Sequence, residues 1–427
     1  MLGAFLASLF GFIFLNTPIA FSLLLTAVVL MLMQTGEVST PVITQSLLRG
    51  IDNFPLMAIP FFMLAGEIMN VGGISKRIVL FAKALVGHVT GGLGYVGVVA
   101  SMIFAGVSGS AVADTSAIGS ILLPIMDKEG YDKPTSTALI SAAGCIGPII
   151  PPSIPMILFG VIGGVSIVKL FLGGIIPGIL IGFGLMIIWY FHAKKRNYRA
   201  DTIKSSFAEV RGAAREAFWA LILPIIILGG IITGIYTPTE AAVVAVVYAF
   251  VVGMFIYKEM SLKDLPEVLI QSAKSTSIVL FVCGAATAAG YLITTAQIPT
   301  MLSALISRLA GDSPMMAMFW INILLLLVGC VMDLTPALLI LGPILLPIAV
   351  GYGLDPVYFG VVMCVNLCIG LITPPVGTVL YVGCGLSKIS MGQITKPLLP
   401  FIAVMVVVLF IITYVPGLIT FIPNLVR

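Results

Sequence analysis

The chain has 427 residues, of which 60% are hydrophobic and 9% charged, and its mean hydropathy is +1.19. A soluble protein of this length needs far more charge to cover its surface, so the composition excludes one. The net charge of +4 does not indicate nucleic acid as a partner, because basic residues beside membrane spans set topology. Apolar stretches long enough to cross a bilayer recur, for example 218–235, 238–257 and 398–415. The sequence predicts an all-α polytopic membrane protein in contact with lipid.

The N-terminal stretch "MLGAFLASLFGFIFL" lacks a basic n-region and a convincing cleavage site. These features favour a first membrane span over a removed signal peptide. Six cysteines lie in apolar segments, and Cys364 and Cys368 are one helical turn apart. No histidine or acidic residue stands beside this pair, so we expect packing residues there and predict no transition-metal site.

Two apolar stretches of the first half contain residues that interrupt helices. They are "FAGVSGSAVADTSAIG" (104–119) and "GCIGPIIPPS" (144–153). Glycine and paired prolines destabilise a helix. A membrane segment that contains them is therefore predicted to have a break in the helix, and such a break indicates a functional role. A basic stretch, about 192–217, follows and is predicted to be a cytoplasmic linker.

The second half repeats these features at a fixed spacing. "CIGLITPPVGT" from Cys368 matches "CIGPIIPPSIP" from Cys145, an offset of 223 residues. "ILLPIAVGYGLD" (344–355) matches "ILLPIMDKEGYD" (121–132) at the same offset, and the second pair of breaks falls at 328–342 and 367–377. The sequence therefore predicts two homologous halves, 1–215 and 216–427.

The number of crossings sets the relative orientation of the halves. In the second half we predict two spans, an interfacial amphipathic piece "SLKDLPEVLIQSAKS", a re-entrant hairpin and three more spans. The hairpin is predicted at 277–307, where "GAATAAG" and Pro299 interrupt the apolar run, and the last three spans at about 316–349, 356–386 and 398–415. Five crossings are an odd number, so the second half is predicted to be inverted relative to the first.

The distribution of basic residues predicts the orientation in the membrane. The predicted membrane crossings place fifteen of the 21 basic residues on one side of the membrane. They are Lys128, Lys133, the seven from Lys194 to Arg215, Lys258, Lys263, Lys274, Arg308, Lys388 and Lys396. The other side has Arg49, Lys76, Arg77, Lys83, Lys169 and Arg427. We predict that the first side is cytoplasmic and that both termini lie outside the cytoplasm.

Inverted repeats with paired discontinuous helices are typical of secondary transporters that work by alternating access. Unwound backbone frees carbonyl oxygens, which together with hydroxyls can replace the hydration shell of a small cation. The repeat register and nearby hydroxyls predict one sodium site in each half. Site 1 contains Gly106, Ser108, Ser110, Gly147, Ile150 and Ser153. Site 2 contains Gly329, Gly370, Thr373 and Val376. The alternative is that the glycines only let helices pack closely.

Acidic residues within apolar stretches are expensive and usually functional. Asp333 adjoins the second break, with Thr335 beside it, and Asp114 lies near the first, so each is an additional candidate for ion or substrate binding. Glu240 follows "TPT" at a predicted helix start, where helix capping is at least as good an explanation as transport. For Glu67 the sequence favours neither a structural nor a functional role.

The whole chain resembles the large membrane subunit of the tripartite ATP-independent periplasmic (TRAP) transporters. The resemblance rests on "TPIAFSLLL", "GEIMNVGGIS", "GVSGSAVADTSAIGSILLPIM", the Pro-Pro string, "YTPTEAAVVAV" and "LITPPVGTVLYV". It implies an elevator-type sodium symporter of the bacterial inner membrane with two hairpins, a four-helix small membrane subunit and a periplasmic binding protein. Its substrates would be organic acids, with sialic acid favoured over C4-dicarboxylates. No small subunit precedes Met1, so we expect a separate chain to supply it.

There are three alternatives to membership of this family. "GVSG" (106–109) fits the Gly-x-Ser-Gly pattern of intramembrane serine proteases, but the only histidines are His88 and His192, and neither is expected at mid-membrane depth. A stand-alone sodium/carboxylate elevator symporter, without a binding protein, is the alternative within transport. A purely structural membrane subunit leaves the two Pro-Pro loops unexplained. We therefore predict a transporter rather than an enzyme.

Overall fold

A computed structural model of the chain describes residues 1–34, 41–198 and 207–425, and within these ranges it is helical without strands. The described part of the first half forms α1 (Leu2–Phe14), α2 (Ile19–Met33), α3 (Pro41–Ile51), α4 (Ala58–Val71), α5 (Ile74–Val86), α6 (Gly92–Ser108), α7 (Ala111–Lys128), α8 (Lys133–Gly144), α9 (Ile154–Gly163) and α10 (Ile167–Lys195). A 3₁₀ turn (Phe54–Met57) precedes α4.

The second half forms a matching series. Its helices are α11 (Phe207–Ile232), α12 (Pro238–Val251), α13 (Leu265–Thr295), α14 (Ile298–Ala310), α15 (Pro314–Gly329), α16 (Leu334–Gly351), α17 (Pro356–Gly370), α18 (Thr378–Ser387), α19 (Met391–Tyr414) and α20 (Gly417–Leu425). A π-helical segment (Val252–Ile256) extends α12. Within the described ranges, seven helices are long and apolar enough to span a membrane, or eight if the bent pair α14–α15 forms one span.

Helix starts follow local sequence signals. The Ser110 side chain accepts a hydrogen bond from the Ala113 N–H (3.4 Å) and caps α7. At α12, the Glu240 carboxylate accepts the N–H of Thr237 (2.8 Å), whose hydroxyl accepts the Glu240 N–H (3.3 Å). This reciprocal capping box confirms the capping explanation for Glu240.

Helices α6 and α7 form a re-entrant hairpin, here called hairpin 1, with its tip at 109–110. Leu93 at the start of α6 and Lys128 at the end of α7 line the same cavity, so the hairpin enters and leaves on one side. Its helices have 17 and 18 residues. At 1.5 Å per residue they extend about 26 Å, less than the roughly 30 Å hydrocarbon core. A hairpin of this length that begins at a membrane surface is expected to have its tip within the hydrocarbon core.

Helices α15 and α16 form the corresponding hairpin 2, with its tip at 330–333. The Tyr352 hydroxyl, just after α16, donates to the Gly311 carbonyl (2.9 Å), just before α15. This contact closes the base of hairpin 2, so its two helices also begin and end on one side.

The two hairpins open toward opposite ends of α10. Gly163, just before α10, lies against Leu346 of α16. Near the other end of α10, the Trp189 ring N–H donates to the carbonyl of Gly91 (2.8 Å), just before α6. The hairpins therefore enter from opposite faces, as the inverted repeat requires.

The predicted position of the second hairpin was wrong. Helix α13 continues without interruption through "GAATAAG", and the piece predicted to lie along the interface belongs to the same 31-residue helix. Gly284 of this run lies against the Leu47 carbonyl of α3, where a Cβ would be 2.9 Å from the oxygen. Gly284 allows close packing of α13 on α3, and the run does not break the helix.

Two predicted spans also differ from the structure. The stretch 316–349 is hairpin 2 rather than one crossing, and 356–386 is a broken helix in which loop 371–377 separates α17 from α18. The predicted linker 192–217 is helical at both ends, and its middle, 199–206, lies outside the described residues.

The structure also changes the predicted sidedness of three basic residues. Lys83 lines a cavity with Lys128, and Arg77 forms an ion pair with Glu259 (2.8 Å), so both lie with residues predicted to be cytoplasmic. Arg308 lies near the base of hairpin 2, at the opposite face. The prediction failed because α5 and α14 were not recognised as the helices that lead into the hairpins.

Candidate functional site

The tip of hairpin 1 rests on the first Pro-Pro loop, residues 145–153. Gly109 has φ +64°, and a Cβ there would lie 2.6 Å from the Pro152 carbonyl oxygen. A glycine is needed because the tip combines left-handed backbone with close contact to the loop. The Ser108 hydroxyl accepts the Ser110 N–H (3.2 Å) and so stabilises the turn. The peptide bond Pro151–Pro152 is cis.

The tip of hairpin 2 is held to the second Pro-Pro loop, residues 371–377, by hydrogen bonds. The Val376 N–H donates to the Cys330 carbonyl (3.3 Å), and the Thr378 hydroxyl donates to the Asp333 carboxylate (2.9 Å). Gly329 and Gly370 bring the two backbones together, since a Cβ on Gly370 would lie 2.7 Å from the Gly329 carbonyl oxygen. As in the first loop, the peptide bond Pro374–Pro375 is cis.

Four predicted ligand carbonyls in the loops are free of hydrogen bonds. Those of Gly147 and Ile150 in the first loop, and of Thr373 and Val376 in the second, accept no bond from the described residues. The Gly370 carbonyl differs, because it accepts the Thr373 N–H (2.9 Å). Unpaired carbonyls inside a membrane protein are costly unless water or a cation satisfies them, so these atoms are suited to cation binding.

A cavity of about 160 Å³ lies where the two tips meet. Ser110 of hairpin 1 and Asp333 with Thr335 of hairpin 2 line it, together with Met63 of α4 and Val279 of α13. Ser110 and Asp333 are 223 residues apart, so they occupy equivalent positions in the two halves, and each directly precedes a helix of its hairpin. The start of each helix adds partial positive charge to this region, although the Ser110 hydroxyl already accepts an N–H of α7 and the Asp333 carboxylate accepts N–H groups at the start of α16.

Asp114 lies in the first turn of α7, behind the tip of hairpin 1. Its side chain is fully buried, and neither carboxylate oxygen has a partner with good hydrogen-bond geometry among the described residues, although the Ser108 hydroxyl is close enough to interact with it. One oxygen faces Gly147, where an added Cβ would overlap it. A buried carboxylate needs a bound cation or a proton, so Asp114 marks the first loop as a site for positive charge.

Several predicted site residues do not line the central cavity. Gly106 lies against Pro224 of α11, and the Ile150 side chain packs on Gly178 of α10. The Ser153 hydroxyl caps α9, accepting the Met156 N–H (3.2 Å) and donating to a loop carbonyl. Each of these residues therefore has a packing or capping role in addition to any role as a ligand.

Two residues near the site were missed in the sequence. Thr378 binds Asp333, and Thr115, which is fully buried with an unpaired hydroxyl within the described chain, lies against Gly144. The repeat register gave no signal for either, because Thr378 aligns with Pro155 and Thr115 with an apolar residue.

The geometry removes the serine protease alternative. His192 stacks on Trp189 (centroids 5.5 Å apart), and Trp189 contacts Gly91 at the base of hairpin 1. Ser108 lies at the other end of α6, about 24 Å away at 1.5 Å per residue. Neither proton transfer nor hydrogen bonding is possible over that distance.

An all-helical membrane fold with two oppositely oriented hairpins and two broken helices around one cavity defines a secondary transporter. The YdaH transporter of Alcanivorax borkumensis has a similar fold, with a TM-score of 0.59 at 13% identity over 87% of both chains.

The chain belongs to the family described as "Tripartite ATP-independent periplasmic transporter, DctM component", whose sequence model matches residues 6–418. It is 48% identical over 97% of both chains to a TRAP transporter large permease protein of Haemophilus influenzae. It is 46% identical over 97% of both chains to the 2,3-diketo-L-gulonate TRAP transporter large permease of Escherichia coli. For the sialic acid TRAP transporter large permease SiaM of Vibrio cholerae the identity is 39%, over 97% of this chain and 96% of the other. These relatives are transporter permeases rather than enzymes.

Proposed function

We propose that this large permease subunit couples the import of an organic acid to a sodium gradient. The observation that carries the proposal is the joining of each hairpin tip to a Pro-Pro loop that contains unpaired carbonyls. The Gly109 tip contacts Pro152, and the Cys330 carbonyl accepts the Val376 N–H (3.3 Å). Closing of a tip on its loop would complete a cation site, so ion binding and substrate access would change together.

The two sodium sites keep their predicted residues in this proposal. At site 1, free carbonyls of Gly147 and Ile150 would be joined by the hydroxyls of Ser108 and Ser110, with Asp114 supplying negative charge. Site 1 also retains Gly106 and Ser153. Gly106 would act by its packing against Pro224, and Ser153 by capping α9, and both contacts would maintain the backbone conformation around the site. The ligands are hard oxygens, which suits Na⁺ and requires no further cofactor.

At site 2, the free carbonyls of Thr373 and Val376 would be joined by the Thr373 hydroxyl. Gly329 and Gly370 would act by holding hairpin 2 against the loop. Asp333 and Thr335, which line the central cavity, would contribute to the cation or to the substrate.

The substrate would bind between the tips, in the central cavity. Helix starts at Ser110 and Asp333 favour a carboxylate there, which supports an organic acid. The family resemblance favours sialic acid, with a C4-dicarboxylate as the alternative. The higher identity to the diketogulonate relative (46%) than to the sialic acid relative (39%) supports a six-carbon sugar acid of the diketogulonate class as a further candidate.

A small four-helix membrane subunit and a periplasmic binding protein would complete the transporter. The name of the family, a tripartite transporter, supports this assembly. In this proposal the chain resides in the inner membrane with periplasmic termini, its halves divide near residue 215, and transport follows an elevator movement. A stand-alone symporter without a binding protein is the alternative.

Reconstitution in vesicles tests the proposal. The chain should be co-reconstituted with its small subunit, and uptake of labelled acids measured with and without the loaded binding protein. We expect uptake only with an inward sodium gradient and the binding protein. Equal uptake driven by a proton gradient in sodium-free buffer would refute sodium coupling, and robust uptake of free substrate would favour the stand-alone symporter.

A further inference from the structure

A polar cavity of about 470 Å³ lies at the base of hairpin 1. Three basic residues from different helices line it: Lys83 of α5, Lys128 at the end of α7, and Arg196, which directly follows α10. Among the described residues, Glu129 is the only acidic one in the lining. Three positive charges against one negative charge give this cavity an excess of positive charge, which suits an anion.

The charges of the lining do not neutralise one another by contact. Lys83, Lys128 and Glu129 form no ion pair within the described ranges. Arg196 lies 3.8 Å from a carboxylate oxygen of Asp132, a long contact between partly exposed groups, and such pairs contribute little. The three basic side chains are therefore available to a ligand in the cavity.

The start of α6 adds partial positive charge to the same cavity. Leu93, the second residue of this 17-residue helix, is part of the lining. The Gly94 N–H donates to the Gly91 carbonyl (3.0 Å), but the N–H groups of Gly92 and Leu93 donate to no described residue. Free N–H groups at the start of a helix favour an anion, and here they lie beside the three basic side chains.

The general preference of basic residues for the cytoplasmic face does not account for this cavity. That preference explains the side of the membrane on which basic residues lie, but not their convergence on one space. Lys76 shares α5 with Lys83, and Lys195 directly precedes Arg196, yet neither lines the cavity. The convergence is a product of the tertiary structure, which brings the ends of α7 and α10 to α5.

We propose that this cavity binds a phosphate monoester or inorganic phosphate, either as a soluble ion or as the headgroup of phosphatidic acid. The Arg196 guanidinium offers paired donors that match phosphate oxygens, and Lys83 and Lys128 offer compact charges. Helix α5 leads into hairpin 1 and α7 leaves it, so a phosphate bound to both lysines holds the base of hairpin 1 against α5. The bound anion stabilises hairpin 1 in the position seen here.

The test is a titration of the purified full chain with potassium phosphate at constant ionic strength, read as the midpoint of thermal unfolding. We expect a saturable rise, because a ligand that binds only the folded chain stabilises it. A parallel titration uses phosphatidic acid in detergent micelles. A shift with phosphate identifies a soluble ligand, and a shift with phosphatidic acid alone identifies a lipid headgroup. Potassium acetate, which has a single charge and no phosphate oxygens, should give no shift.

Substitutions of single charges should change the affinity in opposite directions. Lys83→Gln and Lys128→Gln should each raise the half-maximal concentration of phosphate or phosphatidic acid about tenfold, because a charge-assisted hydrogen bond is lost. Glu129→Gln removes the negative charge of the lining and should lower this concentration. Lys76→Gln and Lys195→Gln are the matched controls, since both are exposed lysines outside the cavity, and they should leave it unchanged.

Three results would overturn the proposal. They are no shift with either phosphate or phosphatidic acid, an equal shift with acetate, and equal responses of the lysine variants and their controls. Equal responses would mean that the anion acts by general screening of surface charge. Arg196→Gln replaces a lysine variant that does not fold. Uptake is not measured, so failure here would leave the proposed sodium coupling untouched.

Discussion

Substitution of Gly370 by alanine directly tests the joint between hairpin 2 and its loop. A Cβ at this position would lie 2.7 Å from both the Cα and the carbonyl oxygen of Gly329. These are backbone atoms, so the clash cannot be relieved by rotating a side chain, and hairpin 2 must move away from α17. Overpacking of this kind costs about 1–3 kcal/mol. The same movement lengthens the Val376 to Cys330 hydrogen bond, now 3.3 Å.

This strain destabilises the contact between hairpin 2 and the second Pro-Pro loop, which the proposed sodium site 2 requires. If only the cation-bound form needs the close contact, each 1.4 kcal/mol of strain raises the sodium concentration for half-maximal uptake tenfold. We therefore expect Gly370→Ala to raise it roughly tenfold or more and to lower the midpoint of thermal unfolding by a few degrees when sodium is present. Uptake at a range of sodium concentrations and thermal unfolding of the purified chain are the measurements.

Gly385→Ala is the matched control, because Gly385 lies in α18 with no atom within 4 Å of an added Cβ. Alanine there removes a helical glycine and should stabilise the chain slightly, by up to about 1 kcal/mol, with an unchanged sodium dependence. An unaltered sodium curve and unfolding midpoint in Gly370→Ala would refute the reasoning. Equal effects in Gly370→Ala and Gly385→Ala would show that the close contact between Gly370 and Gly329 has no particular role in sodium binding.

Further predictions concern single side chains. Thr373→Val removes a hydroxyl that donates to the Ile369 carbonyl (2.7 Å) and is a proposed sodium ligand. We expect this variant to need a several-fold higher sodium concentration for half-maximal uptake at normal expression. An unchanged sodium requirement would show that the hydroxyl is not a ligand. Val376→Met should be mild in the same assay, because this position offers only its carbonyl, and a strong loss would favour the packing explanation. Asp333→Asn should abolish most uptake and sodium-dependent thermal stabilisation while the protein still folds, and retention of both would exclude a charged role. His192→Ala should keep full uptake, and loss of uptake at normal expression would require a new role for this histidine.

Sequence symmetry predicted the most informative parts of the fold. The offset of 223 between the Pro-Pro strings located both broken loops, and the structure shows that Ser110 and Asp333, which are separated by the same offset, occupy equivalent positions. Repetition carries this information because a glycine or proline that recurs at the same place in two halves is retained for geometry rather than by chance.

The hairpin of the second half was not found where it was predicted, for a physical reason. A glycine-rich run in a membrane helix is compatible with a break or with close packing, and in α13 Gly284 serves packing against Leu47. Conversely, the apolar stretch 316–349 has the length of one span, and only tertiary contacts such as Tyr352 to Gly311 reveal that it turns back. Contacts between distant elements, including Thr378 with Asp333, have no local signature.

The two halves place one carboxylate near each loop by different means. In the second half Asp333 directly precedes its hairpin helix and binds Thr378 (2.9 Å). In the first half the equivalent residue is the neutral Ser110, and the carboxylate is Asp114 in the first turn of α7, buried against Gly147. Charge inside a membrane is costly unless it is balanced, so in the proposed mechanism one carboxylate near each loop would balance one monovalent cation there. Under that proposal, the symmetry that matters is the balance of charge at each loop rather than the identity of the residue at each tip.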